Sequence, residues 1–169
     1  ESRSFEHCIS VLTEEIKLAI HWERPSILLV VNPSTSSREK AQQALRKSLS
    51  TLPKGIVCIG PGQACSDLFQ FLAQTESPER FICFVDGLDR SAGSYQALNL
   101  RREQIVEQRI IVLFWLTPRE AKELPSAAPD FWSFRHRVIE FGSQRGSRRQ
   151  ALPSGLMVWQ QDSPFLFYE

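Results

Sequence analysis

The sequence lacks an excess of charge of either sign. Its 169 residues include 20 lysines and arginines and 19 aspartates and glutamates, which leave a formal net charge of +1. A protein with so balanced a charge has no overall electrostatic attraction to nucleic acid or to an anionic membrane. The composition therefore argues against a nucleic-acid partner and against a membrane surface.

Long apolar runs are also missing. The longest run covers residues 110–116, far short of the roughly 20 apolar residues that cross a bilayer. The chain starts with Glu1 and no signal-peptide pattern follows it. We therefore expect a domain that belongs to a longer polypeptide and has no membrane partner.

Cysteine is scarce as well. The four residues Cys8, Cys58, Cys65 and Cys83 include no C-x-x-C pair, so the spacing typical of structural zinc sites is absent. Cys8, Cys65 and Cys83 fall on apolar stripes or strands, where a thiol behaves as a small hydrophobic group. Reduced core thiols are typical of the cytoplasm, which is the location we expect.

The sequence does contain an alternation of apolar runs with helical patterns. Apolar runs predict strands at 27–31, 56–59, 81–85, 110–116 and 138–141. Helical spacing predicts an opening helix capped by Ser4 and later helices at 95–108, 118–124 and 129–135. Ser36 and Glu39 fit a capping box at the start of the second helix.

This alternation predicts the fold class. Strands that are apolar throughout are buried on both faces, and their alternation with helices is typical of βαβ units. Right-handed crossovers then cover both faces of a parallel sheet. We predict an α/β fold, a three-layer sandwich around a five-stranded parallel sheet, whose ligands would lie at the carboxyl ends of the strands.

The chain divides into three parts. Residues 1–141 are predicted to form the α/β domain. Residues 142–155, "GSQRGSRRQALPSG", carry three arginines and no acid, which predicts a flexible loop or linker; Arg148 and Arg149 could contact an acidic partner. Residues 156–169 are apolar again and predict either an extra C-terminal edge strand or an interface with a neighbouring domain.

The loop after the first strand reads "NPSTSSREK", where a nucleotide hydrolase carries G-x-x-x-x-G-K-[ST]. With Asn32 at the first glycine, Ser37, Arg38 and Glu39 fall at the second glycine, the lysine and the hydroxyl. Side chains occupy positions that need bare backbone, and Pro33 lacks an N–H group. Glu39 would place a carboxylate where the phosphates and their metal lie. We therefore expect no tight binding of nucleoside triphosphates.

The third strand leads into "FVDGLDR", which contains Asp86 and Asp89. One interpretation makes Asp86, with Asp89 and Arg38, a weak Mg-ATP site. The other makes Asp86 a turn and helix-cap residue, because aspartate accepts backbone N–H bonds in such positions. On that second interpretation Asp89 forms a surface ion pair with Arg90.

These segments together resemble a known family. A leading helix, a strand with an altered phosphate loop, "FICFVDGLDR", "ALNLRREQI", "IIVLFWLTPREA" and "APDFWSFRHRVIEF" resemble a degenerate, inactive branch of the STAND class of P-loop NTPases. The resemblance covers residues 4–141. It implies a P-loop-NTPase-like sheet of strand order 5-1-4-3-2 and a module of multidomain bacterial signalling or defence proteins.

Two further stretches contain candidate functional residues. "QACSD" around Cys65 departs from the caspase pattern, and we predict no catalytic residues. "PDFWSFRHR" places Trp132 and Arg135 three residues apart, where they can stack as a cation–π pair. Together with Phe131 they form either an exposed docking patch or a buried plug at the edge of the sheet.

The sequence thus leads to two functional hypotheses. The first is a non-enzymatic signalling or adaptor module without a cofactor, which docks on other domains of the same polypeptide or on a companion effector protein. The contacts would be Trp132, Arg135, Phe131, Arg148 and Arg149. The second is a nucleotide-binding switch that keeps weak affinity for ATP or GTP.

Overall fold

The computed structural model describes residues 4–60, 64–88 and 92–142. The strands are β1 (Ser26–Val31), β2 (Gly55–Ile59), β3 (Phe81–Asp86), β4 (Ile111–Leu116) and β5 (Arg137–Glu140). The helices are α1 (Phe5–His21), α2 (Thr35–Leu49), α3 (Ala64–Gln74), α4 (Ala92–Glu107), α5 (Pro118–Ala127) and α6 (Pro129–Ser133). A 3-10 turn, Pro78–Arg80, precedes β3. None of the helices in these ranges is long and apolar enough to cross a membrane.

The five strands form one parallel sheet in the order β2-β3-β4-β1-β5. This is the predicted order 5-1-4-3-2, so that prediction is confirmed. The inner strands β1 and β4 are buried at every residue, as expected for strands covered on both faces. Their continuous apolar sequences therefore reflect their central position in the sheet.

Helices cover both faces of the sheet, which confirms the three-layer α/β sandwich. The core on one face joins the sheet to α1 and α2, and its centre contains Phe84 and Trp115, with ring centroids 5.5 Å apart. The core on the other face joins the sheet to α3, α4, α5 and α6. Alternate residues of each strand point to opposite faces, so each strand contributes to both cores.

The start of α1 follows the prediction, whereas the start of α2 does not. The hydroxyl of Ser4 accepts a hydrogen bond from the backbone N–H of His7 and caps α1. The capping box predicted at Ser36 and Glu39 is wrong, because α2 begins at Thr35 and is capped by Ser34, whose Oγ accepts from the N–H of Ser37.

The local sequence explains the error. Residues 34–37 are four consecutive hydroxyl side chains, so several registers of the cap have suitable chemistry. Ser34 has an extended backbone with φ −153°, the conformation of an N-cap residue. The first turn of α2 consequently contains no acidic residue.

Several other boundaries differ by a few residues from those predicted. The fourth helix begins at Ala92 rather than at 95, and the fifth strand is Arg137–Glu140 rather than 138–141. The predicted linker from 143 onward and the predicted edge strand after 156 lie outside the described residues.

His136 ties the start of β1 to the segment that leads into β5. Its backbone N–H donates to the carbonyl of Ile27 over 2.8 Å, and its Nδ1 accepts from the N–H of Ile27 over 2.9 Å. An accepting Nδ1 must be unprotonated. Burial lowers the pKa of His136 below its ordinary value of 6.5, and the charge of Arg24 lowers it further, while Glu15 opposes both.

This contact predicts a pH-dependent stability. Because the folded-state pKa of His136 is lowered, its contribution is present above pH 6.5 and is lost as the pH falls through the folded pKa. His136→Asn places an amide oxygen where Nδ1 accepts and cannot titrate. Urea unfolding between neutral and mildly acidic pH should therefore show a smaller loss of unfolding free energy in H136N than in the wild type.

The control for this experiment is His7→Asn, which changes an exposed histidine of α1. H7N should keep the pH dependence of the wild type. An unchanged pH dependence in H136N would show that the Ile27–His136 hydrogen bond does not sense pH.

Candidate functional site at the carboxyl edge of the sheet

The carboxyl edge of the sheet brings together polar residues that are far apart in the sequence. Asn32 follows β1, Asp86 ends β3 and Thr117 follows β4. Because β4 lies between β1 and β3, these three residues lie along one edge, where ligands of open α/β sheets bind. This edge is the place to look for a functional site.

Arg38 of α2 forms an ion pair with Asp86 at this edge. The guanidinium Nη1 lies 2.9 Å from the carboxylate Oδ1, and the side chains are 21% and 26% exposed. The N–H is not aligned on Oδ1 as in a hydrogen bond, so the contact is mainly Coulombic. Two residues that the sequence proposed as cofactor ligands are thus brought together, and each is paired with the other.

The pKa of the Asp86 carboxyl is raised above its ordinary value. Burial is the main cause, Arg38 acts in the opposite direction, and the carboxylates of Glu120 and Glu39 raise it further. The ionised form is therefore disfavoured by desolvation and by two neighbouring acids. Among the described residues, Arg38 supplies the positive charge that counters these effects.

The connection between β1 and α2 is short. Only residues 32–34 separate Val31 from Thr35, so Ser37 and Arg38 lie inside the first turns of the helix. Asn32 is 3% exposed, and its Oδ1 accepts from the hydroxyl of Ser37 over 3.3 Å. The loop that would surround a triphosphate with backbone N–H groups needs more residues than this connection contains.

A second carboxylate, Glu120 of α5, joins two strand ends. Its Oε2 accepts from the N–H of Thr117 over 2.7 Å and from the Thr117 hydroxyl over 2.8 Å. Its Oε1 accepts from the N–H of Leu88 over 2.9 Å. Glu120 is only 8% exposed. The three hydrogen bonds compensate the cost of burying its charge.

The backbone conformation of the turn after β3 allows the turn to contact the Glu120 carboxylate closely. Gly87 has φ +82°, a conformation that favours glycine, and a Cβ on it would lie 3.4 Å from Oε1 of Glu120. The turn directs the N–H of Leu88 towards Glu120. Both Glu120 oxygens are occupied by donors of the chain, so Glu120 holds the β3–α4 turn against the end of β4.

Sequence reasoning did not identify Glu120. The signal was present, because "TPRE" after β4 has the S/T-x-x-E spacing of a capping box and a proline at the first helical position. The structure contains that box at Thr117 and Glu120. The additional bond from Glu120 to Leu88 spans 32 residues and has no local sequence signal.

No cluster of three or more His, Cys, Asp or Glu side chains suited to a metal ion occurs within residues 4–60, 64–88 and 92–142. Asp89, predicted as a second acidic ligand, lies outside these ranges. Arg148 and Arg149, predicted as interaction residues, also lie outside them. Cys65 is buried in the core, in agreement with its predicted place on an apolar stripe.

Comparison with known proteins does not assign a family. No protein-family model matches the chain, and no curated protein matches it significantly.

The aromatic residues of α6, together with Arg135 just after the helix, form a second feature that the sequence predicted. Phe131 is fully buried, its ring centroid is 5.3 Å from that of Phe114, and its N–H donates to Asn99 Oδ1. Trp132 is 6% exposed, and the Arg135 guanidinium lies 3.9 Å from the centroid of its ring. This burial favours the plug interpretation for Phe131 and Trp132 and leaves Arg135 partly accessible. Burial lowers the pKa of Arg135.

The three bonds of Glu120 predict a clear effect of Glu120→Gln. One oxygen then becomes an NH2 group that faces a backbone donor, and we expect the free energy of unfolding to fall by about 1–3 kcal/mol. Urea denaturation measures this loss. The control is Glu123→Gln on the same helix, where the ion pair with Arg119 is exposed and the expected change is about 0–1 kcal/mol. Equal effects of E120Q and E123Q would contradict the role of Glu120.

The burial of Trp132 predicts that Trp132→Ala destabilises the fold by about 3–5 kcal/mol. Arg135→Ala removes the stacked cation and should cost about 0.5–2 kcal/mol. Trp22→Ala is the matched control, because Trp22 is 67% exposed and its loss should change stability by about 0.5 kcal/mol at most. If W132A kept wild-type stability, Trp132 would be a surface residue available for docking.

Proposed function

We propose that this domain is a non-enzymatic signalling or adaptor module of a multidomain protein that works in the cytoplasm. Its partners are other domains of the same polypeptide or a companion effector protein. The resemblance to degenerate STAND-class NTPases supports this proposal, since modules of that kind are found in bacterial signalling and defence proteins. The parallel α/β fold is compatible with that class.

The observation that carries the proposal is the ion pair between Arg38 and Asp86. An aspartate at the end of this strand would hold magnesium in a working nucleotide hydrolase. Here a guanidinium of the same chain lies beside the carboxylate and compensates its charge. A magnesium ion would have to displace Arg38 and take over a carboxylate that burial already disfavours in its ionised form.

The short β1–α2 connection supports the same proposal. Arg38 lies on the fourth residue of α2, so its backbone is part of the helix and is not available to wrap a phosphate chain. Glu120 and the exposed Glu39 both act on Asp86, and the two oxygens of Glu120 already accept bonds from Thr117 and Leu88. Arg38 could therefore bind a phosphate, and Glu120 a metal ion, only by breaking a contact of the fold.

One observation favours the alternative, a switch with weak affinity for ATP or GTP. The first turn of α2 contains no acid, so its positive helix dipole is not compensated by a carboxylate of that turn. Arg38 could turn from Asp86 towards an anion at this position. The alternative would keep Asp86, Asp89 and Arg38 as its site.

A titration with Mg-ATP separates the two functions. A ligand at 100 times its Kd stabilises a protein by about 2.7 kcal/mol, which raises the melting temperature of a domain of this size by several degrees. For the adaptor module we expect no shift at millimolar Mg-ATP in a thermal unfolding assay.

The variant Asp86→Asn identifies the origin of any shift. A nucleotide that bound through magnesium at Asp86 would stabilise the wild type and would lose this effect in D86N. That pair of results would overturn the proposal in favour of the switch. A shift of equal size in both proteins would place a nucleotide elsewhere and would equally contradict a module without a cofactor.

A further inference from the structure

The two edges of the sheet differ in the chemistry of their strands. The edge strand β5 reads RVIE and carries a charge at each end, whereas β2 reads GIVCI and contains neither charge nor proline. Edge strands of natural proteins normally carry charges, prolines or bulges that prevent pairing with another chain. Within the described residues β2 pairs with β3 alone, so its outer backbone groups can pair with a further strand.

Half-buried apolar side chains flank β2 on both faces of the sheet. Leu52 and Ile56 lie at the margin of one core, and Val57 and Phe71 lie at the margin of the other. The ring of Phe81 packs against Gly55, where an added Cβ would lie 2.9 Å from Cδ1. A strand added beside β2 would extend the sheet and cover these apolar groups on both faces of the sheet.

A cation lies beside this edge. The exposed Arg46 of α2 contacts the Sγ of Cys58 on β2 through Nη2, and its guanidinium is 5.4 Å from the ring centroid of Phe84 on β3. Cys58 is exposed. Within residues 4–60, 64–88 and 92–142 Arg46 forms no ion pair with a carboxylate, so its charge can act on a partner.

We propose that the outer edge of β2 binds an extended segment of a partner protein by strand addition. On one face of the segment, apolar side chains cover the core margin at Val57 and Phe71, and on the other face a carboxylate faces Arg46 of α2. Main-chain hydrogen bonds supply the affinity in this mode of recognition, and the side chains supply the specificity. The inference rests on the proposed docking function and gives that function a surface and a partner chemistry.

The alkylation rate of Cys58 reports whether a partner strand is bound to β2. Cys58 is the only exposed cysteine of the four, and burial, with a smaller effect of Cys58, raises the pKa of the neighbouring Cys83 to about 12. Alkylation by iodoacetamide near neutral pH therefore reports on Cys58. A partner strand on β2 should cover it and slow the reaction.

The probe is the synthetic peptide acetyl-Thr-Val-Glu-Val-Glu-Val-Thr-amide, compared with the same peptide carrying lysine in place of glutamate. The glutamate peptide at about ten times its Kd should slow alkylation of Cys58 about tenfold, because only unbound protein reacts. The lysine peptide should give much weaker protection. Equal protection by both peptides, or no protection by the glutamate peptide at millimolar concentration, would overturn the proposal.

Reversing the charge of Arg46 gives the second test. Arg46→Glu should weaken binding of the glutamate peptide by about tenfold or more and favour the lysine peptide, because the opposed charges are exchanged. Protection is measured relative to each variant's own rate without peptide. Arg119→Glu on α5 makes the same change of charge at another exposed arginine and should leave both peptides unaffected. An R46E protein with wild-type preference would contradict the assigned carboxylate contact.

A second copy of the chain is the competing occupant. If β2 paired with itself, Cys58 would become protected as the protein concentration rises without peptide, and sedimentation would show a dimer; this result would overturn the proposal. The result of the peptide experiment is independent of the result of the Mg-ATP titration. Stabilisation by Mg-ATP with intact peptide protection would reject the adaptor function alone, whereas failed protection without a nucleotide effect would reject the β2 site alone.

Discussion

The structure depends on the way that a parallel sheet places all of its carboxyl strand ends at one edge. Polar and acidic residues from distant parts of the sequence converge there, and their charges must be compensated in a half-buried setting. In this chain two helices provide the compensation. Arg38 of α2 pairs with Asp86, and Glu120 of α5 accepts three hydrogen bonds from Thr117 and Leu88. The edge is thus held together by the chain's own side chains, in the place where related folds bind ligands.

Sequence reasoning reached the architecture because the architecture is encoded in local patterns. The apolar runs of β1 and β4 reflect their burial on both faces, and the strand order came from the resemblance. The ion pair of Arg38 with Asp86 joins residues 48 positions apart, and no local pattern encodes such a distance. The cap of α2 was misplaced since four adjacent hydroxyl residues fit the same rule. The sequence alone does not decide the burial of Trp132, because aromatic residues beside an arginine fit both a buried plug, the favoured interpretation, and a docking patch.

The carboxyl edge of the sheet and the lateral edge at β2 differ in their chemistry. Contacts of Arg38 and Glu120 join α2 and α5 to the carboxyl edge. The β2 edge instead has an uncharged strand, half-buried apolar neighbours and the exposed Arg46. Recognition by strand addition needs open backbone groups and uses no catalytic residue. A domain whose carboxyl edge is occupied by internal contacts could therefore still dock a partner through its lateral edge, as we propose.

The most direct test of this account is a double-mutant cycle on Arg38 and Asp86. Urea unfolding of the wild type, Arg38→Gln, Asp86→Asn and the double variant gives the coupling energy of the two side chains. The account predicts a favourable coupling of about 1 kcal/mol, since the carboxylate should be more costly to retain once its guanidinium is removed. A coupling indistinguishable from zero would contradict the claim that Arg38 compensates the charge of Asp86.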